Sequence, residues 1–385
     1  MTDAPLPDGV GGWSDRRFAA VARILGEQVA AGVHHGAAVA IRHRGEPVVD
    51  LWGGTFGEDT LVTSFSTTKG PVATCVHMAL ERAGVTYDTP VAEVWPEFAQ
   101  AGKEAVTIRQ VLCHEAGIPQ IRHEIADVWA MADWEAMVAT VEALPPLWEP
   151  GTANGYHALT WGWLAGELVR RVDGRPPAQF LADEVAGPLG LDGCFLGAPV
   201  DQVSRLAPVF WNPIYLDMPH LDELLPADSL TLRAVAPAGD MVEFVNSDVG
   251  RSSCVPAITG AFTARSLATI YAVLERGGTL AGTRLLSPGT VEAATTVQND
   301  RPDLVLFVPM HWRLGFMGLG LGGAGGPGGA SAAYGHSGLG GSVAMADPRT
   351  ELAVAVTLDR LELDLLGDDR AGAVVRAAVA AVDTM

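Results

Sequence analysis

Apolar positions along this chain recur with two alternating periods. Residues 14–32 place Phe18, Val21, Leu25, Val29 and Ala30 on one side, the i, i+3, i+4 spacing of a helix with a buried stripe. Two strand-like runs follow, 36–43 and 46–52, joined by Arg44-Gly45, and predict a β-hairpin. Beyond residue 70 the apolar set Val72, Cys75, Val76, Ala79 and Leu80 returns to helical spacing. This second helix is expected to begin near Ser66, at a strand-to-helix junction, and to end near Gly84.

From about 88 to 248 helical patterns alternate with Pro- and Gly-containing loops. Residues 106–114 start behind a possible cap and stop at Gly117-Ile118-Pro119. Residues 158–172 read as another helix, ending at Asp173-Gly174, and 208–237 as a long loop of the kind that builds a pocket wall. Regular patterning returns with a helix over 263–276 and a turn at Gly277-Gly278. A second hairpin, 342–346 with 351–358, turns around Asp347-Pro348-Arg349-Thr350, and a last amphipathic helix covers 369–382. The stretch 315–329 is glycine-rich, and Gly320 to Gly325 formally matches a dinucleotide fingerprint. Without a flanking strand, helix and downstream acid it reads as a loop.

Two hairpins at opposite ends of the chain predict an α+β fold: one antiparallel sheet built from both termini and flanked by helices, plus a mainly helical lobe. The expected division is residues 1–87 with 255–385 as one discontinuous domain and 88–254 as the other. A cleft between them is the natural place for a site.

Composition narrows the function. A chain of 385 residues with 48% hydrophobic content can bury a large core, and its net charge of −20 argues against nucleic acid and anionic membranes as partners. Cys75, Cys113, Cys194 and Cys254 are far apart and form no C-x-x-C, which fits a reducing compartment. Residues 1–17 lack an apolar signal segment and no run is long enough to span a membrane, so a soluble cytoplasmic protein is expected. No metal or organic cofactor is implied, and nothing indicates an oligomeric state.

Of the 25 basic residues only two are lysines, Lys69 and Lys103. In Ser66-Thr67-Thr68-Lys69 a serine and a lysine lie one helical turn apart at a helix start. A serine hydroxyl needs a base, and an amine is one only when burial or positive potential lowers its pKa. An arginine cannot release its proton, so a lysine kept here in an arginine-rich chain points to nucleophilic catalysis. Tyr156, in Gly155-Tyr156-His157 ahead of the next helix, could share a proton with Lys69 or protonate a leaving alcohol. The segment Tyr334-Gly335-His336-Ser337-Gly338-Leu339-Gly340-Gly341 leads into a strand. The N–H groups of Leu339 and Ser66 would form a two-donor oxyanion hole. His336 could instead head a Ser-His pair with Ser337 or another serine. No G-x-S-x-G elbow is present, which argues against an α/β-hydrolase.

These motifs, in this order and spread over nearly the whole chain, resemble the serine β-lactamase-like superfamily, and most closely its class C-like branch with the family VIII carboxylesterases. The resemblance implies a β-lactamase/transpeptidase-like fold, with Ser66 as nucleophile, Lys69 as base and Tyr156 as partner in proton transfer. It also puts Ser66 and Leu339 at the oxyanion hole. His336-Ser337-Gly338 stands at the substrate-binding place of Lys-Thr-Gly, and Ala158 where class C enzymes carry an asparagine. Both departures remove polar contacts to an amide or carboxylate substrate. The implied activity is a carboxylesterase cleaving short-chain acyl esters through an acyl-serine. The alternatives are an acyltransferase, an amide hydrolase of β-lactamase or D-amino peptidase type, or a binding protein that has kept the fold.

Overall fold

The computed structural model describes residues 3–215, 221–235, 237–320, 332–363 and 369–383. Its centre is a seven-stranded antiparallel sheet. The strands are β1 (Val10–Ser14), β2 (Gly36–His43), β3 (Glu46–Gly54), β4 (Met317–Gly318), β5 (Tyr334–Ser337), β6 (Val343–Asp347) and β7 (Leu352–Leu358), in the spatial order β1-β3-β2-β7-β6-β5-β4. The two ends of the chain meet where β2 pairs with β7, Leu352 opposite His43 and Leu358 opposite Ala37. Both expected hairpins are therefore halves of one sheet.

Every residue of β6 and β7 is buried, so these strands read as continuous apolar runs rather than alternating ones. Helices on both faces account for this. Ala264–Glu275 lies across β2, β6 and β7, while Ala19–Ala30 and Asp369–Asp383 pack together against the other face. The expected helix over 14–32 is shorter than its pattern suggested. Ser14 closes β1, and a 3-10 turn at Arg16–Phe18 precedes Ala19–Ala30.

The remaining helices include Lys69–Ala83, stopped by a left-handed Gly84, and Thr160–Asp173, stopped by Gly174. Ile108–Leu112 begins behind Thr107, whose side chain forms a reciprocal capping box with Gln110. The middle of the chain also supplies strands. Cys194–Leu196 pairs with Gly260–Phe262, which pairs with Leu61–Thr63, which pairs in turn with Leu206–Ala207. The stretch 208–237 is not the plain loop expected: it holds short helices at Leu221–Leu224 and Leu230–Val235, with 216–220 and 236 outside the described residues. The glycine-rich stretch falls largely within 321–331, also outside them.

Candidate active site

Leu61–Thr63 ends in a tight turn that presents Ser66. Phe65, immediately before it, has φ = +45°, a conformation rarely adopted by residues with a side chain. Burial of the Phe65 ring in the core holds the turn in this shape. Three polar neighbours fix it further. Ser64 N–H and Oγ both donate to Gly260 O, Thr68 Oγ1 accepts from Gly260 N at 3.1 Å, and Thr67 Oγ1 donates to Ser342 O at 3.1 Å. Strand β5 runs past this turn so closely that a Cβ on Gly338 would collide with Ser64 O and Thr67 Oγ1. Small residues in this motif therefore let the Leu339 segment approach Ser66.

Ser66 Oγ lies 3.1 Å from Lys69 Nζ and accepts a hydrogen bond from Tyr156 Oη at 2.7 Å. The expected trio is assembled. Lys69 is fully buried and donates to the carbonyls of Ala158 (2.8 Å) and Ala257 (3.4 Å). Among the described residues no carboxylate pairs with it, and burial drives its pKa well below the ordinary lysine value. A neutral amine has two N–H bonds and one lone pair. The two carbonyls take both N–H bonds, which leaves the lone pair for the proton on Ser66 Oγ. Burial acts in the opposite sense on Tyr156 and raises its pKa. The hydrogen bond to Ser66 works against that rise, while nearby Asp303 adds to it. Tyr156 therefore stays a phenol, a donor rather than a phenolate base.

Neither the Ser66 nor the Leu339 N–H donates to another group among the described residues, and both residues line one small cleft. Among the described residues Tyr156, Leu306, Trp312, Met317, His336 and Ser337 also line it. His336 does not pair with a serine hydroxyl. Its Nδ1 lies 2.7 Å from Ser337 O, and its buried Nε2 has no hydrogen-bond partner among the described residues.

The sequence gives no sign of Asp303. Its buried carboxylate accepts from five N–H groups: Tyr156 N (3.0 Å), Val305 N (2.9 Å) and Leu306 N (3.0 Å) at Oδ1, Trp312 Nε1 (2.9 Å) and Asn154 Nδ2 (3.3 Å) at Oδ2. Through these bonds it ties together three cleft residues, Tyr156, Leu306 and Trp312. The Trp312 indole stacks on Tyr156 with centroids 5.4 Å apart and planes 14° from parallel, and His114 lies 4.1 Å from that indole. His114 and His157 pack behind the tyrosine in fixed tautomers. His114 Nδ1 accepts from His157 N and His157 Nε2 accepts from Ile118 N, so each ring carries its proton on the other nitrogen. Burial keeps both neutral, with His157 pushed down to about 3.

A serine–lysine–tyrosine cluster, with the lysine and tyrosine buried, beside an antiparallel sheet flanked by helices defines a β-lactamase/transpeptidase-like protein. The Beta-lactamase family model matches residues 21–378. The chain belongs to that family, and so to the serine hydrolases of its superfamily. It is 34% identical to the esterase/beta-lactamase LipL of Mycobacterium tuberculosis (strain ATCC 25618 / H37Rv), over 94% of this chain and 85% of the relative. Among solved structures it is similar to a penicillin-binding protein homologue from Caulobacter crescentus (36% identity, TM-score 0.84) and to a family VIII carboxylesterase (32%, TM-score 0.86). Both matches cover 97% of this chain and 99% of the other. No helix among the described residues is long and apolar enough to cross a membrane.

Proposed function

We propose that this protein is a serine carboxylesterase that cleaves short-chain acyl esters through an acyl-Ser66 intermediate. The observation that carries the proposal is the placement of Ser66 Oγ between Lys69 Nζ and Tyr156 Oη at 3.1 and 2.7 Å, in a cleft with no cationic lining residue among the described residues. In acylation, the Lys69 lone pair takes the Ser66 proton as Oγ bonds to the ester carbonyl carbon. The Ser66 and Leu339 N–H groups receive the oxyanion. As the intermediate collapses, the ester C–O bond breaks and the leaving alkoxide takes a proton from Tyr156, which regains one from Lys69. Water then attacks the acyl carbon, giving its proton to Lys69, and Ser66 Oγ leaves reprotonated.

Several features favour an ester over an amide. The cleft is small, 290 Å³ together with its mouth. His336 is neutral where the resemblance to β-lactamases puts the lysine of Lys-Thr-Gly, and position 158 offers only a backbone carbonyl, already bonded to Lys69. β-Lactam hydrolysis is the second reading, favoured by the name of the mycobacterial relative. The four free thiols suit a reducing, cytoplasmic setting.

The test compares a short-chain p-nitrophenyl ester with a chromogenic cephalosporin, on wild type and Ser66→Ala. Ester turnover that disappears in the variant, with weak cephalosporin turnover, is expected. Ester turnover surviving in Ser66→Ala would refute the mechanism, and dominant cephalosporin turnover would favour the second reading.

A further inference from the structure

His336 is 2% exposed and lines the same cleft as Ser66, with its ring centroid 6.0 Å from that of Tyr156. The Ser337 carbonyl, 2.7 Å from Nδ1, can only accept, so Nδ1 carries the hydrogen. Burial, helped by the charge that Lys69 would carry, keeps the ring neutral, with its pKa pushed down to about 3. The lone pair is then on Nε2. That atom is buried and has no partner among the described residues, so its desolvation is uncompensated.

This part of the site can be satisfied by a ligand. An occupant must bring a donor, since the lone pair can only accept. It should also be neutral, because among the described residues no carboxylate lines the cleft to stabilise a cation and four of the lining side chains, Leu306, Trp312, Met317 and Leu339, are apolar. We propose that His336 Nε2 is a specificity-determining acceptor that selects ester substrates bearing a free hydroxyl near the scissile bond. The hydroxyl belongs either to the acyl chain, as in a short hydroxy acid, or to the alcohol, as in a polyol monoester. The inference rests on the acyl-Ser66 esterase reading. It adds the polar group that distinguishes preferred esters from plain ones, because a site built to bond a hydroxyl discriminates against the analogue that lacks it.

The experiment measures kcat/KM for two matched pairs on the purified protein. p-Nitrophenyl 3-hydroxybutyrate against p-nitrophenyl butyrate reports a hydroxyl on the acyl side. Glycerol monobutyrate against propyl butyrate, followed by acid release, reports one on the alcohol side. The wild type is expected to favour the hydroxylated member of one pair by about three- to tenfold, the effect of one net hydrogen bond. His336→Phe, which keeps a ring and removes both nitrogens, should bring that ratio to about one, and His336→Gln, which restores an acceptor, should recover part of it. Ratios near one in both wild-type pairs, with plain esters turned over, would overturn the inference and leave the esterase reading intact. So would a preference that persists in His336→Phe. If that variant fails to fold, the wild-type ratios still decide. Failure of the wild type to hydrolyse any plain or hydroxylated ester would overturn the esterase reading, and this inference with it.

Discussion

Replacing Asp303 by Asn tests whether the buried carboxylate positions Tyr156. The substitution preserves shape and removes one acceptor oxygen. At Oδ1 three backbone N–H bonds, from Tyr156, Val305 and Leu306, would persist but lose their ionised acceptor. At Oδ2 the new NH2 would face two donors, the Trp312 indole at 2.9 Å and the Asn154 amide at 3.3 Å. Flipping the amide makes matters worse, since three donors would then meet the NH2. One well-formed bond turned into a donor–donor clash costs about 1–3 kcal/mol, and three bonds weakened from charged to neutral cost about 1 kcal/mol each before relaxation. The cluster should therefore lose about 3 kcal/mol after relaxation. In a chain this long that is a fall of about 3–6 °C in Tm.

The kinetic consequence follows from the same bonds. Loosening Trp312 frees one face of the Tyr156 ring, and loosening the backbone moves its hydroxyl relative to Ser66 Oγ. A shift approaching 1 Å in such a group lowers kcat/KM by about 10²-fold. Ser66 and Lys69 are held by other elements, so reaction with a fluorophosphonate probe should slow without stopping. The assay pairs thermal unfolding with ester hydrolysis. A Tm within about 1 °C of wild type together with kcat/KM within about twofold would refute the positioning role.

Two further predictions concern the other parts of the site. Because the folded pKa of Lys69 lies well below its ordinary 10.5, the unfolded chain binds a proton that the fold does not between those two values. Stability should rise with pH across that window, by at most about 1.4 kcal/mol per pH unit, and Lys69→Met should abolish this component. The stability difference, wild type minus variant, is expected to grow between pH 7 and 10 by denaturant titration; a flat difference would mean that Lys69 is charged in the fold. Gly338→Ala should cost about 1–3 kcal/mol and at least tenfold in kcat/KM, because the new Cβ meets the Ser64 carbonyl, a backbone atom that cannot swing aside. Wild-type kinetics in that variant would show that β5 need not lie so close to the Ser66 turn.

Much of this arrangement is legible in the sequence because its signals are local. Ser66 and Lys69 share one helical turn, and their meaning comes from the scarcity of lysine elsewhere. The hairpins show through turn residues beside strand-like runs, and the Thr160–Asp173 helix through its apolar face and terminal glycine. Strand β1 is obscured by Gly11 and Gly12. A side chain at Gly12 would strike Asp50 O, so the residues that allow close pairing with β3 also erase the strand's pattern. The helices within 208–237 run only four to six residues, about one turn, too few for a 3.6-residue period to emerge. Asp303 is illegible for another reason. Two of its partners, Asn154 and Tyr156, lie 149 and 147 residues away, and nothing in a lone aspartate marks a carboxylate that tertiary packing will surround with N–H groups.

The same tertiary packing bears on the base role proposed for Lys69. His114 and His336 form a wall against Tyr156, with His157 packed behind His114, and burial holds every one of them uncharged. A carboxylate in that wall would stabilise the ammonium and raise the Lys69 pKa. A lysine or arginine there would lower it further and would give an anionic substrate a counter-charge. Among the described residues no charged side chain pairs with Lys69, and the nearby Asp303 carboxylate is taken up by five N–H groups, so burial alone lowers the Lys69 pKa. The net charge of −20 acts from outside, repelling anions before they reach the cleft. Local chemistry and long-range field therefore act in the same direction as the proposed activity, which needs a neutral ester whose carbonyl is activated by two N–H groups without a charged anchor.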